Sequence, residues 1–173
     1  MEDWRVKSKS ITFNPAFRSE LRVLQRFIIE DLANLAYVTL EAYLDTGRSD
    51  WPVISEATKW LKGSDKLLVD SGDFKRALDI QVDDNRALVG ILTPRGSQGQ
   101  DLEMIARVIQ EGAIIQVSEK MRRWFAWKGM PLRRTTMHIV IPPRPLFEPT
   151  LAEIDEEIDG IVNNYMDDIL GAI

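Results

Sequence analysis

Cysteine is absent from this chain of 173 residues, and histidine occurs once, at His138. The first absence removes disulfides, thiolate nucleophiles and cysteine-based zinc sites together, so stability has to come from packing. The second leaves no multi-histidine metal site within one chain and no spare base for a Ser-His-Asp triad. No apolar run approaches the roughly 18 residues that span a bilayer. The opening Met1-Glu2-Asp3-Trp4-Arg5 lacks the apolar core of a secretory signal, so the chain is expected to stay in the cytoplasm where it is made. No glycine-rich phosphate loop is present either: Thr93 to Gln100 holds Pro94, Gly96 and Gly99, which is the composition of a mobile surface loop rather than a phosphate cradle.

Positive charge is missing from one end of the sequence. From Glu148 to Ile173 there are eight acids and no Lys or Arg. The stretch just before it is the reverse: Lys120, Arg122, Arg123, Lys128, Arg133, Arg134 and Arg144 stand against the single acid Glu119. The overall net charge of −5 argues against a dedicated nucleic-acid binder, which carries a basic excess. A basic arm is followed directly by an acidic helix.

With 45% hydrophobic and 28% charged residues the composition is globular. A chain of this length buries on the order of 70% of its unfolded surface, enough for one core. Periodicity fills in the elements. Val6 to Phe13 reads as a strand. Asn14-Pro15 starts a helix whose Phe17, Leu21, Leu24, Ile28, Leu32 and Leu35 form one stripe, ending near Gly47. Ser55 caps a short helix to Leu61. Phe74 to Val82 and Ala87 to Leu92 flank Asp83-Asp84-Asn85 as a hairpin. Asp101 to Glu111 is helical with Gly112 as its stop, Ala113 to Val117 is a strand, Ser118 caps a helix ending at Gly129, and Thr136 to Ile141 is a strand ended by Pro142-Pro143. Thr150 and Glu153 form a capping-box pattern for a last helix with Leu151, Ile154, Ile158, Ile161, Tyr165 and Ile169 on its apolar face. The fold class is α+β, a single domain over residues 1–173: an antiparallel sheet of about four strands flanked by a long N-terminal helix and a C-terminal helix.

Three chemical readings compete with plain structure. Asp45-Thr46-Gly47 and Asp70-Ser71-Gly72 resemble the paired aspartates of aspartic proteases, but Gly47 is better explained as a helix C-cap, and the short spacing leaves no room for two lobes. Asp155, Glu156, Glu157 and Asp159 invite a metal, yet lie off the apolar stripe as a solvated or partner-facing surface. Trp124, Phe125 and Trp127 among the cations could stack on bases; an amphipathic helix that turns its aromatics inward is the simpler reading. His138 is a strand side chain without a chemical task.

Three segments, read together, resemble the tail-completion or virion morphogenesis proteins of tailed bacteriophages. They are Trp51 through Thr58 and on to Leu68-Val69-Asp70-Ser71-Gly72-Asp73-Phe74, with Lys59 and Lys62 between; Ile105 to Gly112, an Ala-containing helix ending in Gln110-Glu111-Gly112; and Ile141-Pro142-Pro143-Arg144-Pro145-Leu146-Phe147, followed by an acidic helix. Order and spacing match over roughly residues 50 to 160, with residues 118–135 as a basic insertion. The resemblance implies a structural virion protein at the neck that forms a ring of copies of itself on the finished tail and joins it to the head. Its partners would be a tail terminator or tail tube and head-side connector proteins. DNA passes nearby without sequence-specific binding, and no cofactor, membrane or small-molecule substrate is implied. A tail-terminator or head-side connector ring is the neighbouring alternative, and a DNA-contacting protein or a small aspartic hydrolase the alternatives of another class. The expected interface residues are Arg144, Pro143 and Phe147 of the proline-rich segment, presented as a rigid arm, with Arg133, Arg134, Trp124 and Trp127 of the basic stretch and Glu153 and Glu157 of the acidic helix as complementary faces.

Overall fold

A computed structural model describes residues 15–63 and 72–171. The strand expected at Val6 to Phe13, the residues Leu67 to Ser71, and the side chains of Phe17 and Ile169 lie outside the described residues.

The first helix, α1 (Pro15–Thr46), is 32 residues long and starts at the expected proline. Its buried face is not the leucine stripe alone. Ala33, Ala36, Leu40 and Leu44 are buried, whereas Leu24, Ile28, Leu32 and Leu35 are half-buried and Leu21 is exposed. The two alanines let the last helix, α6 (Phe147–Gly171), close against α1. The pair runs antiparallel, and two tyrosine–carboxylate bonds tie it, Tyr43 to Glu153 and Tyr165 to Asp31.

Three caps fall where side-chain chemistry puts them. Ser55 accepts from the Thr58 amide to start α2 (Glu56–Lys62), Asp101 from the Met104 amide to start α4 (Leu102–Glu111), and Ser118 from the Met121 amide to start α5 (Glu119–Trp127). The expected capping box at Thr150 is overturned. The helix begins at Phe147, four residues before the expected first residue Leu151. Pro149 is tolerated there because first-turn amides have no intrahelical acceptor to lose. Thr150 is buried and donates its hydroxyl to the Leu146 carbonyl at 2.8 Å, while Glu153 turns to Tyr43.

The start expected for the first hairpin strand is also revised. Asp73–Arg76 is a helical turn, α3, and the strands are β1 (Leu78–Asp83) and β2 (Arg86–Ile91), paired antiparallel around Asp84-Asn85. The remaining strands, β3 (Ala113–Gln116) and β4 (His138–Ile141), pair with each other. Among the described residues the four strands of this α+β fold are thus two antiparallel pairs rather than one sheet.

Helix α1 lies across β1, β2 and α6, and the core between them is Leu40, Leu44, Trp51, Phe74, Leu78 and Leu146, with Tyr37, Val89, Ile109 and Phe147 packed around it. The segment expected to be a mobile loop, 93–100, is closed on itself. Gly96 donates to Gln100 and Leu102 to Pro94 through the backbone, Arg95 bridges Asp101, and Ser97 donates at 2.8 Å to the buried carboxylate of Asp73.

Candidate assembly surface

The three motif segments meet in space at the place where the β3–α5–β4 unit leaves the body. Arg144 donates through its backbone amide to Ile109 at 2.7 Å and through its guanidinium to the Pro52 carbonyl at 3.0 Å. Gln110 accepts from the Leu146 amide at 2.8 Å, and Leu146 and Trp51 share the core. Gly112 sits in the crossing. Its φ is +74°, and a Cβ there would meet the Ile141 carbonyl oxygen at 2.7 Å and the Pro143 nitrogen at 2.9 Å. Two chain segments cross at this root with nothing but hydrogen between them.

Arg144 is therefore not presented to a neighbour. It is 7% exposed and held inside its own chain, partnered by a carbonyl rather than by Glu148 or another acid. Its Nε–H and the indole N–H of Trp51 are buried without an acceptor, and desolvation lowers the guanidinium pKa. Phe147 likewise packs on the core and against Gly90. Of the proline-rich residues expected at an interface, Pro143 alone is exposed.

Beyond the root, residues 113–141 form an arm in which no side chain is buried. Neither the strand pair nor α5 makes an extended contact with another helix or strand of the body. The arm is held from within. The Arg122 guanidinium donates to the carbonyls of Arg133, Arg134 and Thr136, clamping the return segment onto α5, and the Val117 amide donates to Met137 at 2.8 Å. Phe125 is half-buried with Trp124 edge-on to it at 5.0 Å. The aromatics do not all turn inward, contrary to the simpler expectation: Trp124 is 44% and Trp127 77% exposed, and Lys128 lies over both rings. Ile114 and Val140, directly opposed across the strands, are exposed together. A short module with this much bare apolar surface has too little buried area to be stable alone.

The charges sort as the sequence separates them. Lys120, Arg123, Lys128, Arg133 and Arg134 make no ion pair with any described carboxylate, and on α6 Glu148, Asp155, Glu156, Glu157 and Asp159 are exposed and pair with no described cation. Glu153 is the exception. It accepts from Tyr43 and lies 3.7 Å from Arg48. The Tyr43 phenol is pushed up by burial first and then by its bond to Glu153.

Sequence reasoning missed a groove beside α6. It has a volume of about 440 Å³ and runs between α1, β2 and α6, with Leu32, Ala36, Leu88, Phe147, Leu151 and Ile154 among its lining. Leu88 and Leu151 are 52% and 60% exposed on it. The signal was available in Ala33 and Ala36, whose short side chains leave the groove its depth.

The other candidate chemistry stays dispersed. Asp45 is 2.7 Å from Lys75 Nζ, at the end of α1, where the Gly47 amide donates back to Tyr43; Asp70 lies outside the described residues. His138 is exposed on β4. Among the described residues no three metal-ligating side chains gather, and no helix is long and apolar enough to cross a membrane.

No protein-family model, curated protein sequence or solved structure matches the chain.

Proposed function

We propose that this chain is a structural virion subunit of a tailed bacteriophage that assembles with copies of itself as a ring at the neck, completing the tail and joining it to the head. The observation that carries the assembly reading is the arm of residues 113–141, which has bare aromatics, unpaired cations and no core of its own. An extension of that kind gains stability when a second protein covers it. The unpaired acids of α6 give the chain a surface of opposite sign, which is what a head-to-tail ring contact requires of two different faces on one subunit. The ordered motifs support the phage half of the reading, since Trp51, Gln110, Gly112, Arg144 and Leu146 come together as the root on which the arm stands. Assembly would take place in the host cytoplasm, with tail-terminator or tail-tube and head-side connector proteins as the partners above and below. No catalytic step or cofactor belongs to this reading.

Particles made without the protein are expected to accumulate as filled heads and separate tails. Normal infectious particles from such a mutant would overturn the assignment.

The exposed Trp127 with Lys128 4.9 Å from its ring favours a second reading, in which the arm contacts DNA. Phosphate contacts release counterions and lose affinity steeply with salt. Tight DNA binding that persists near physiological salt would promote this second reading over the first.

A further inference from the structure

We infer that the arm of one copy docks into the apolar groove of a second copy, with Trp127 seated between α1, β2 and α6 of that neighbour. The inference rests on the self-assembly part of the reading above and is independent of the phage assignment. Trp127 projects from the last turn of α5 and is 77% exposed. The groove offers about 440 Å³ over the alanine stretch of α1, and two leucines, Leu88 and Leu151, stand half or more bare on it. An indole brings about 150–250 Å² of surface to such a site, and of the arm's two tryptophans Trp127 is the more exposed.

The charges around the two surfaces choose the partner. On α5, Arg123 lies one turn before Trp127, and Lys128 follows it with its ammonium over the ring. On α6, Glu148 and Asp155 lie three residues before and four residues after Leu151, and so on the same side of the helix as the groove. Seating the indole therefore brings two unpaired cations against two unpaired carboxylates. Arm against arm would oppose cation to cation, and groove against groove acid to acid, so pairing of like surfaces is disfavoured and each contact joins the arm of one copy to the groove of another. A foreign acidic protein could attract the arm, but it would leave the groove bare. A second copy covers both.

Because the native chain has no cysteine, single thiols report the contact without background. Ala126→Cys, beside Trp127 on α5, and Leu88→Cys alter exposed side chains, keep the indole in place and leave the core intact, which circular dichroism checks. Mixed under mild oxidation, with one variant carrying a mass tag, the two proteins are expected to form a tagged–untagged disulfide that neither forms alone. In the cysteine-free chain, Trp127→Ala is expected to weaken self-association on the order of 30-fold, as loss of a central aromatic anchor does. Asp155→Lys should weaken it as well, and Arg123→Glu in the same chain should restore it, a rescue that general destabilisation would not give.

The proposal fails if Ala126→Cys links chiefly to itself, if reciprocal charges do not rescue, or if a foreign helix or an apolar ligand fills the groove while Ala126→Cys stays unlinked. Oligomers by light scattering without the mixed disulfide would overturn the docking and leave the assembly reading standing. A monomer at concentrations up to about 1 mM would overturn both.

Discussion

Replacing Gly112 by alanine tests whether the arm's root is the close crossing described above. Two costs add. The backbone at φ +74° and ψ 176° lies in a region that essentially only glycine occupies, a cost of about 1–3 kcal/mol for any other residue. The new Cβ would also lie 2.7 Å from the Ile141 carbonyl oxygen, 2.9 Å from the Pro143 nitrogen and 3.0 Å from its Cδ. The first two are main-chain atoms, and Pro143 directly follows Pro142, so the contact is relieved by moving the backbone rather than by a rotamer change. Overpacking of this kind costs about 1–3 kcal/mol. The total is about 2–6 kcal/mol, and at about 2–4 °C per kcal/mol for a domain of this size the midpoint should fall by about 4–24 °C. Gly129 is the control. Its φ is +81°, but nothing lies within 4 Å of where its Cβ would be, so Gly129→Ala carries the cost of a positive φ without a clash. Thermal unfolding followed by circular dichroism compares the two. Equal losses from both variants would refute the crossing, because strain at φ would then account for everything.

Two further predictions concern the body. Arg144→Ala is expected to destabilise the isolated chain by about 2–5 kcal/mol in urea titration, through a cavity and a lost bond to Pro52, whereas Arg144→Met, which refills the volume and removes a desolvated charge, should cost at least about 1 kcal/mol less; an unaffected isolated chain would restore Arg144 to an interface. The phenols of Tyr43 and Tyr165 are both raised, the first by burial ahead of Glu153 and the second chiefly by its bond to Asp31. A raised folded-state pKa contributes stability that is present below the unfolded phenol value of about 10 and is lost as pH rises through the folded value. The melting temperature should therefore drop above pH 10 more steeply in the native chain than in a Tyr43→Phe, Tyr165→Phe variant, and parallel curves would refute the tie.

What could be read from the sequence was local. Ser55, Asp101 and Ser118 cap helices because each offers an oxygen to an amide three residues on, a relation contained in four residues. Thr150 and Glu153 carry the same signature and mislead, because Pro149 is as welcome inside a first turn as before it, and the helix simply starts sooner. The separation of charge was also visible, and the fold keeps it by leaving those cations and acids unpaired. What could not be read depends on distant partners. Arg144 is buried by a carbonyl 92 residues away. β3 finds β4 across the whole of α5, so nothing near either strand says that the pair stands apart from β1 and β2. The groove comes from alanines at the helix crossing, where a search for leucine stripes looks at the wrong residues.

The residues that look most like recognition elements, the Pro142-Pro143-Arg144-Pro145 run and Gln110-Glu111-Gly112, are spent on the root, and this has a physical consequence for assembly. A head-to-tail contact repeats the same rotation at every step, and whether the series closes into a ring or continues as a filament depends on that angle. If the arm docks as proposed, that angle is the angle between arm and body. It is set at a crossing where prolines fix their own φ and restrict the residue before each of them, where Gly112 permits the backbones to approach, and where Arg144 pins the returning strand to Ile109 and Pro52. Seating Trp127 would give affinity, but affinity carries no information about closure. On the proposed reading the rigidity of the root would supply it, with the two bonds of the buried, imperfectly satisfied arginine holding the arm to one direction.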